Sequence, residues 1–338
     1  MNETDIEYIK NIDRIFIVVG CIVNPLGIIF NTILIYLILR KTRKSLRSFS
    51  ILLLNFAICD FGSSLSGLLS LQKTIFSGNS LTYIFHGVCS KISPFFCYFL
   101  HAFVCHLFAH SQWILMVSFL YRYYIIVRTT PRPEEIVKLC LIVYIPSFLF
   151  LIIYLCDAGD PDELTILIYT YHENLKYDNK NIWGDLTIAG NKSVWSWISC
   201  GAIVYMTIPC FPIYGCIIFF RHKALNILNH TGRVLMSDTT RKSHRALIKA
   251  LTIQAIVPVF WLTASTLYLL LLFRKIDGVV MENLPFRIME IMPVLTPLIS
   301  MFFVSPYRKC VKAWMKRTKF SKNTASVMFN SIHPTVNV

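Results

Sequence analysis

Seven apolar segments, each long enough to cross a bilayer, follow one another along the 338 residues of the chain. About 20 apolar residues span the hydrocarbon core of a membrane, which is roughly 30 Å thick. Backbone groups find no partner in lipid, so each segment is expected to be a helix. The sequence therefore predicts an all-α membrane protein with a seven-transmembrane helix bundle. The segments are residues 15–39, 49–71, 94–120, 137–154, 194–220, 246–273 and 286–304.

Charged residues make up 15% of the chain and lie mainly between the apolar segments. A soluble domain carries about 25% charged residues. The formal net charge of +15 could indicate a nucleic-acid partner. The basic residues instead lie in short connections beside apolar segments, where they set membrane orientation and favour an anionic inner leaflet. We therefore expect a lipid bilayer, and no nucleic acid, as a partner.

Basic side chains occupy alternate connections between the segments. The first connection, RKTRKSLR at residues 40–47, carries five basic residues and no acid, whereas the N-terminus and the stretch CDAGDPDE at 156–163 are acidic. The positive-inside rule then places the N-terminus outside and the C-terminus in the cytoplasm. The chain divides into an extracellular N-terminus (1–14), a seven-transmembrane domain (15–304) and a cytoplasmic tail (305–338).

Short motifs at the segment ends predict covalent modification. Asn2 and Asn191 lie in outer glycosylation sequons, although Asn191 is so near the fifth segment that its use stays open. After the seventh segment, apolar side chains among lysines predict a short amphipathic helix on the inner leaflet, with an unstructured basic tail as the alternative. Cys310 in that stretch is a palmitoylation candidate.

An acid, Asp60, lies in the middle of the second segment, roughly 16 Å from its start at 1.5 Å per residue. A charge at the bilayer centre costs about 2.5–3.5 kcal/mol on insertion scales, so such residues usually face the bundle and mark a functional site. Asn31 and Ser300 are the candidate partners on other segments. The alternative is a protonated acid paired with a neighbour, without a functional role.

The third segment carries Arg122 near its inner end. At 100° per residue, His101 and Gln112 lie within about 80° of the direction of Arg122, so this polar stripe is predicted to face the bundle. Glu290 lies about one turn into the seventh segment, where it could meet a ligand amine or pair with Arg287. Their depth, in the outer half to the middle of the membrane, makes His101, Gln112 and Glu290 the ligand-binding candidates.

Metal and cofactor chemistry find little support in the sequence. His106 and His110 are four residues apart on the third segment, a spacing that can bind a metal, but no acid or third ligand accompanies them. Hydrogen bonding between helices is the favoured role for this pair. Motifs of soluble enzymes, such as GxGxxG, HExxH and GxSxG, are absent. We therefore predict no metal, no cofactor and no enzymatic activity.

Several positions resemble those of rhodopsin-like G-protein-coupled receptors. NFAICD at residues 55–60 resembles their N-L-A-x-A-D stretch, and YRY at 121–123 resembles their D-R-Y triplet. The resemblance implies an activation switch formed by Asn31, Asp60, Arg122, Pro258 and Pro297. A tyrosine replaces the acid of the triplet, so the resting-state lock on the arginine must differ or be weaker.

Longer stretches resemble the nematode serpentine chemoreceptors of class delta. They are FHGVC at 85–89, SFLYRYY at 118–124, HRALIKALTIQ at 244–254 and PYR at 306–308. The resemblance implies an olfactory-type receptor in the plasma membrane of a sensory cilium, which detects a small-molecule odorant or pheromone and activates a heterotrimeric G protein. It also implies a disulfide between Cys97 and Cys156, with Cys89 as the rival partner.

Two other classes of function are the alternatives. A ligand-gated channel or transporter would use intramembrane acids, but only Asp60 and Glu290 lie clearly within segments, and the two halves show no evident inverted repeat. An intramembrane enzyme would need clustered catalytic groups, and only His106 and His110 are available. Agonist-stimulated nucleotide exchange on a G protein distinguishes a receptor from both classes.

Overall fold

The computed structural model describes residues 3–230, 253 and 256–315. Its helices pack into a bundle of seven spans. Six helices are long and apolar enough to cross a membrane, and Val257–Leu272 is a shorter apolar helix. In chain order the helices are α1 (Glu3–Lys41), α2 (Arg47–Ser70), α3 (Pro94–Val127), α4 (Pro133–Leu155), α5 (Pro161–Tyr171), α6 (Lys180–Trp183), α7 (Trp197–Thr207), α8 (Cys210–His230), α9 (Val257–Leu272), α10 (Val279–Phe303) and α11 (305–315).

The first four spans are α1 to α4, the fifth is α7 together with α8, and the sixth and seventh are α9 and α10. The fifth span is interrupted at Pro209, because proline has no N–H to donate to the preceding turn. The sixth predicted segment begins at residue 246, which lies outside the described residues. The all-α seven-helix fold predicted from the sequence is thus what the structure shows.

The first span is longer than a membrane crossing requires. Its 39 residues extend about 58 Å at 1.5 Å per residue, nearly twice the thickness of a hydrocarbon core. Residues 3–14, expected as an extracellular N-terminus, continue the same helix. Asp13, near the start of this helix, is buried where other parts of the chain cover that end of the bundle.

A three-stranded antiparallel sheet covers the end of the bundle at which α1 begins. The strands are β1 (Gln72–Ser77), β2 (Ser80–Phe85) and β3 (Thr187–Asn191), in the order β1-β2-β3. The first two form a hairpin between the second and third spans, and β3 comes from the connection before the fifth. Apolar residues of α5 pack on this sheet. This sheet was not predicted from the sequence.

The hairpin turn depends on Gly78. Its φ of 62° lies in the left-handed region that favours glycine. A Cβ at this position would lie 2.5 Å from the ring of Tyr171 on α5. The turn therefore needs glycine both for its backbone conformation and for the close approach of α5.

The disulfide of the structure joins Cys89 to Cys97, with Cα atoms 5.2 Å apart. The pairing of Cys97 with Cys156 that the resemblance implied is wrong, and the rival, Cys89, is the partner. The reason is local geometry, because a short 3-10 helix over Val88–Lys91 delivers Cys89 to the first turn of α3. Cys156 follows the fourth span and is a free, exposed thiol.

The predicted helix after the seventh span is present as α11. Its Trp314 ring lies 6.0 Å from the ring of Tyr36 on the first span. Tyr307 is buried and its hydroxyl lies 2.8 Å from that of Thr42. Cys310 is partly exposed on this helix. These contacts fasten α11 to the end of the first span.

Candidate functional site

An apolar cavity lies within the bundle directly beneath β2. The empty space among its lining atoms, including the part open to the surroundings, is about 550 Å³. Residues of the third, fifth, sixth and seventh spans form most of its wall. The lining residues are Tyr83, His101, Cys105, Tyr154, Ala202, Ile203, Met206, Thr207, Ala264, Ser265, Tyr268, Pro285, Phe286 and Met289.

His101 is the one sequence-predicted ligand residue that lines this cavity. It is 1% exposed, and its Nδ1 lies 2.9 Å from Gln72 Oε1. Its Nε2 lies 3.3 Å from the Tyr154 hydroxyl. The Tyr83 ring of β2 covers it at a centroid distance of 3.9 Å. His101 is therefore a fixed polar group in an otherwise mostly apolar wall.

Gln112 lies deeper on the same face of the third span and does not line the cavity. Its Nε2 donates to the Met206 carbonyl at 3.3 Å, and its Oε1 accepts from Cys210 Sγ at 3.3 Å. Cys210 Sγ is also 3.5 Å from Ser265 Oγ, which does line the cavity. Gln112 thus connects the fifth span to the floor of the site without facing a ligand.

Glu290 is also outside the cavity. It forms a buried ion pair with Arg287 Nη1 at 2.5 Å, and the two side chains are 8% and 4% exposed. Arg287 also donates to the Gln72 carbonyl at 3.1 Å. Of the two roles considered for Glu290, the structure shows the pair with Arg287.

Aromatic side chains that sequence analysis did not select form much of the site. Tyr83, Tyr154, Tyr268 and Phe286 each present a ring to the cavity. Tyr83 comes from β2, in the stretch LTYIF that alternates between two faces and follows a Gly-Asn turn, which is a recognisable hairpin signal. The other three lie at span ends, where nothing in the sequence distinguishes them from lipid-facing aromatics.

Asn31 links the first span to the seventh. Its Nδ2 donates to the Gly27 carbonyl at 2.9 Å and to the Pro293 carbonyl at 2.7 Å. The Pro293 carbonyl has no helical donor because Pro297, four residues later, carries no N–H. Pro297 therefore creates the acceptor that Asn31 uses.

Asp60 is 3% exposed inside the bundle, as expected for a midplane acid. Thr296 of the seventh span is a close electrostatic neighbour of this carboxyl, although Thr296 Oγ1 has no hydrogen-bond partner among the described residues. The expected partner Asn31 instead bonds the backbone of the seventh span. Within the described part of the chain, Asp60 Oδ2 has no hydrogen-bond partner.

Arg122 points into the bundle and is 1% exposed. Its guanidinium carbon lies 4.5 Å from the centre of the Phe49 ring, and Tyr121 stacks near the same ring at 6.3 Å. Among the described residues, Nε and Nη1 of Arg122 have no hydrogen-bond partner. In this structure the face of the Phe49 ring, and not a carboxylate, lies beside the Arg122 guanidinium.

A second, smaller cavity adjoins Arg122, with an empty volume of about 390 Å³. Thr296 and Val257 contribute to its wall, so it touches the third, sixth and seventh spans. Pro258 lies in the first turn of α9 beside Val257, and residues 231–252, 254 and 255 are outside the described part. Any hinge action at Pro258 thus stays a prediction.

Asn191 is fully buried in β3. Its Nδ2 donates to the Tyr98 hydroxyl at 2.8 Å and to Asp157 Oδ2 at 3.0 Å, and its Oδ1 accepts from the Tyr154 hydroxyl at 3.0 Å. A side chain with these bonds has no room for a glycan, so the structure favours the alternative that Asn191 is not used. Asn2 lies outside the described residues.

The histidine pair of the third span makes contacts between helices. His106 Nδ1 lies 2.7 Å from the Ser147 carbonyl of the fourth span, and His110 Nε2 lies 3.1 Å from Asn55 Oδ1 of the second. Over the described ranges, no three histidine, cysteine or acidic side chains are placed to hold a metal ion. These hydrogen bonds fit the predicted role between helices.

Comparison with known proteins covers nearly the whole of this architecture. The family model described as "Serpentine type 7TM GPCR chemoreceptor Srd" matches residues 16–313. Serpentine receptor class delta-3 of Caenorhabditis elegans is 58% identical over 335 residues, covering 98% of this chain and 97% of that protein. Class delta-1 of the same organism is 45% identical (84% and 76% covered), and class delta-2 is 41% identical (90% and 84% covered). The chain belongs to the Srd family of serpentine seven-transmembrane chemoreceptors.

Proposed function

We propose that this receptor binds a small-molecule odorant or pheromone in the cavity beneath β2 and activates a heterotrimeric G protein at the opposite end of the bundle. The observation that carries the proposal is the cavity itself. Five spans and one strand converge on an apolar space with a few fixed polar groups, which is the usual composition of a small-molecule site. Its lining favours a fairly apolar ligand that makes one or two hydrogen bonds.

The seventh span connects the cavity to the groups near the inner end. Phe286 and Met289 line the cavity, and one turn further Pro293 receives the Asn31 hydrogen bond. Thr296 then meets Asp60 and the space beside Arg122. A ligand shifts this chain of contacts only if it binds one of its arrangements more tightly than the other. The proposed response is an outward tilt of the sixth span about Pro258 that exposes Arg122.

The membrane arrangement follows from the charge pattern. We place the N-terminus (1–14) and the sheet outside, the seven-transmembrane receptor domain (15–304) in the plasma membrane and the tail (305–338) in the cytoplasm. A sensory cilium is the proposed location, from the family. Asn2 is the proposed glycan acceptor, and Cys310 is the proposed palmitoylation site because α11 holds it beside the first span.

Filling the cavity should weaken the response to ligand. Ala264 is 1% exposed and lines the cavity, so Ala264→Leu places three more carbons in the binding space. We expect the half-maximal concentration to rise at least about tenfold, equivalent to 1.4 kcal/mol of lost binding. The measurement is calcium imaging with the odorant that gives the largest wild-type response in a panel of volatile and water-soluble compounds, with and without G-protein blockade.

The matched control is Thr263→Leu, because Thr263 is the preceding residue and faces away from the cavity. Surface expression of the two variants must first be equal. Identical dose-response curves for Ala264→Leu and Thr263→Leu would remove the cavity from the proposal. A current that survives G-protein blockade would instead favour a channel.

Weakening the contact between Phe49 and Arg122 should raise basal signalling. A cation–π contact contributes about 0.5–2 kcal/mol, so its loss in Phe49→Leu shifts the population toward an exposed arginine by about 2- to 30-fold. The measurement is ligand-free nucleotide exchange by a purified G protein. Phe219→Leu is the control, since Lys223 lies 5.6 Å from that exposed ring. Equal basal rates in both variants would contradict the role of Phe49.

A further inference from the structure

The sheet closes the cavity on the side that faces water. All six residues of β2 are buried. The Tyr83 ring lines the cavity and packs edge-to-face with Phe286, at a distance of 6.3 Å between ring centroids. On β1, the centre of the Phe76 ring lies 5.9 Å from the centre of the Tyr268 ring, which lines the cavity. A ligand arriving from water would therefore have to displace packed aromatic rings.

A groove on the lipid-facing side approaches the same cavity between the fourth and fifth spans. Its empty volume is about 780 Å³, and its lining includes Leu149, Ile153, Trp197 and Gly201. None of the lining side chains is charged. Leu149 and Ile153 are 51% and 52% exposed, and in a membrane they face acyl chains.

The wall between the groove and the cavity is one residue thick. Tyr154 and Ala202 line both spaces. The Ala202 side chain is a single methyl group, so little material separates the groove from the cavity at this residue. Tyr154 is held in place by His101 and Asn191, through hydrogen bonds of 3.3 Å and 3.0 Å to its hydroxyl. A group that competes for His101 would weaken one of the two bonds that hold Tyr154 against the cavity.

The floor of the groove is open at Gly201. A Cβ built on this residue meets no atom within 4 Å. Glycine in the interior of a helix costs about 0.5–1 kcal/mol relative to alanine. Here it leaves a recess in the helix surface beside the thin part of the wall.

We infer that the ligand reaches the cavity from the lipid phase, through the groove at Gly201 and past Tyr154 and Ala202. This inference rests on the proposed ligand cavity and adds the chemical class of the ligand. The ligand is an apolar small molecule that partitions into the membrane. The groove has no charged lining side chain, and the cavity behind Tyr154 and Ala202 is also mostly apolar. A permanently charged molecule is excluded from this path by the cost of entering the hydrocarbon.

Cys105 provides a reporter inside the cavity, where its thiol is buried. Methanethiosulfonates convert a thiol to a mixed disulfide, with a new S–S bond, release of methanesulfinate and loss of the thiol proton to solvent. The full chain in nanodiscs would be treated with apolar hexyl methanethiosulfonate or its charged trimethylammonium-ethyl analogue. Modification is followed at each cysteine by peptide mass spectrometry. Cys21 on the first span and Cys156 outside the bundle are exposed reference thiols for the lipid and water phases.

The apolar reagent should modify Cys105, and Gly201→Trp should slow that rate by at least about tenfold, the lower end of the range by which association rates vary among variants of one site. Gly215→Trp is the matched control, since a Cβ there also meets nothing within 4 Å and Gly215 lies outside the groove lining. Gly201→Leu serves as a second blocking variant if the tryptophan lowers the yield of folded protein. The Cys21 rate should be unchanged throughout.

The outcomes separate the two proposals. Equal Cys105 rates in Gly201→Trp and Gly215→Trp would overturn the lipid route while leaving the cavity as the ligand site. The same conclusion follows if the charged reagent modifies Cys105 as fast as Cys156, or if Phe76→Ala is needed before the apolar reagent reacts. Failure of every reagent to modify Cys105 in every variant would also overturn the lipid route, whereas the proposed function fails only if Ala264→Leu and Thr263→Leu give identical dose-response curves.

Discussion

Replacing Lys73 with methionine is expected to lower the free energy of unfolding by about 3–5 kcal/mol, because it leaves buried acids without their cation. The Lys73 side chain is 1% exposed, with Nζ 3.0 Å from Asp13 Oδ2 and 3.2 Å from Glu282 Oε2. Asp13 also accepts from Asn283 at 3.0 Å. This cluster joins the first span, β1 and the seventh span, so its loss should detach the sheet from the bundle.

Lys73 is protonated, and so carries its positive charge, at physiological pH. Burial lowers the pKa of its ammonium, but Tyr177, Glu282 and Asp13 raise it, and the net shift is upward. Because the folded-state pKa is the higher one, this contribution is fully present below the model-compound value of 10.5 and is lost only as the pH rises through the folded value. Mild acidification therefore leaves the contribution of Lys73 to stability unchanged.

The control for Lys73→Met is Lys180→Met. Lys180 pairs with Asp185 at 2.9 Å, but the two side chains are 80% and 86% exposed. Water screens the attraction between two exposed charges, so this change should be nearly neutral. Unfolding in detergent, followed by two independent probes, gives the comparison. Equal losses in the two variants would show that the cluster does not fasten the sheet.

Replacing Glu290 with leucine should also cost about 3–5 kcal/mol, because Arg287 would stay behind as an unpaired buried charge. The double variant Arg287→Met/Glu290→Leu should recover most of that loss, since it removes both charges from an apolar region. The lost hydrogen bond from Arg287 to the Gln72 carbonyl accounts for about 0.5–1.5 kcal/mol that is not recovered.

This pair of variants decides between two roles for Glu290. If it acts through Arg287, ligand response and folded yield fall together in Glu290→Leu and return together in the double variant. A ligand-binding role predicts that the response stays lost in the double variant even though its stability returns. The double variant is the more informative of the two, because it restores the packing without restoring the acid.

Part of the candidate site was accessible from the sequence. The 100° spacing of the third span predicted that His101, Gln112 and Arg122 share an inward face, and all three are buried. It did not predict that His101 alone lines the cavity, because the depth of a residue along a helix does not say where neighbouring helices separate. That separation is set by side-chain volumes on five spans and by a strand that lies between two spans in the sequence.

The partners of the buried polar side chains were the property least predictable from the sequence. Asp60 and Asn31 were expected to meet, yet Asn31 bonds the Pro293 carbonyl and Asp60 interacts with Thr296. The proline that frees this carbonyl is visible in the sequence, so the acceptor could have been found by asking which backbone groups lose their helical donor.

The sequence by itself determined the seven spans, the burial of Arg122 and the family, because apolar length, helical period and local motifs are properties of consecutive residues. The folded structure was needed to show that a sheet covers the cavity, that Cys89 pairs with Cys97, that Glu290 pairs with Arg287 and that the wall between cavity and lipid is one residue thick. Each of these depends on distances between groups that packing brings together, which residue type and spacing leave undetermined.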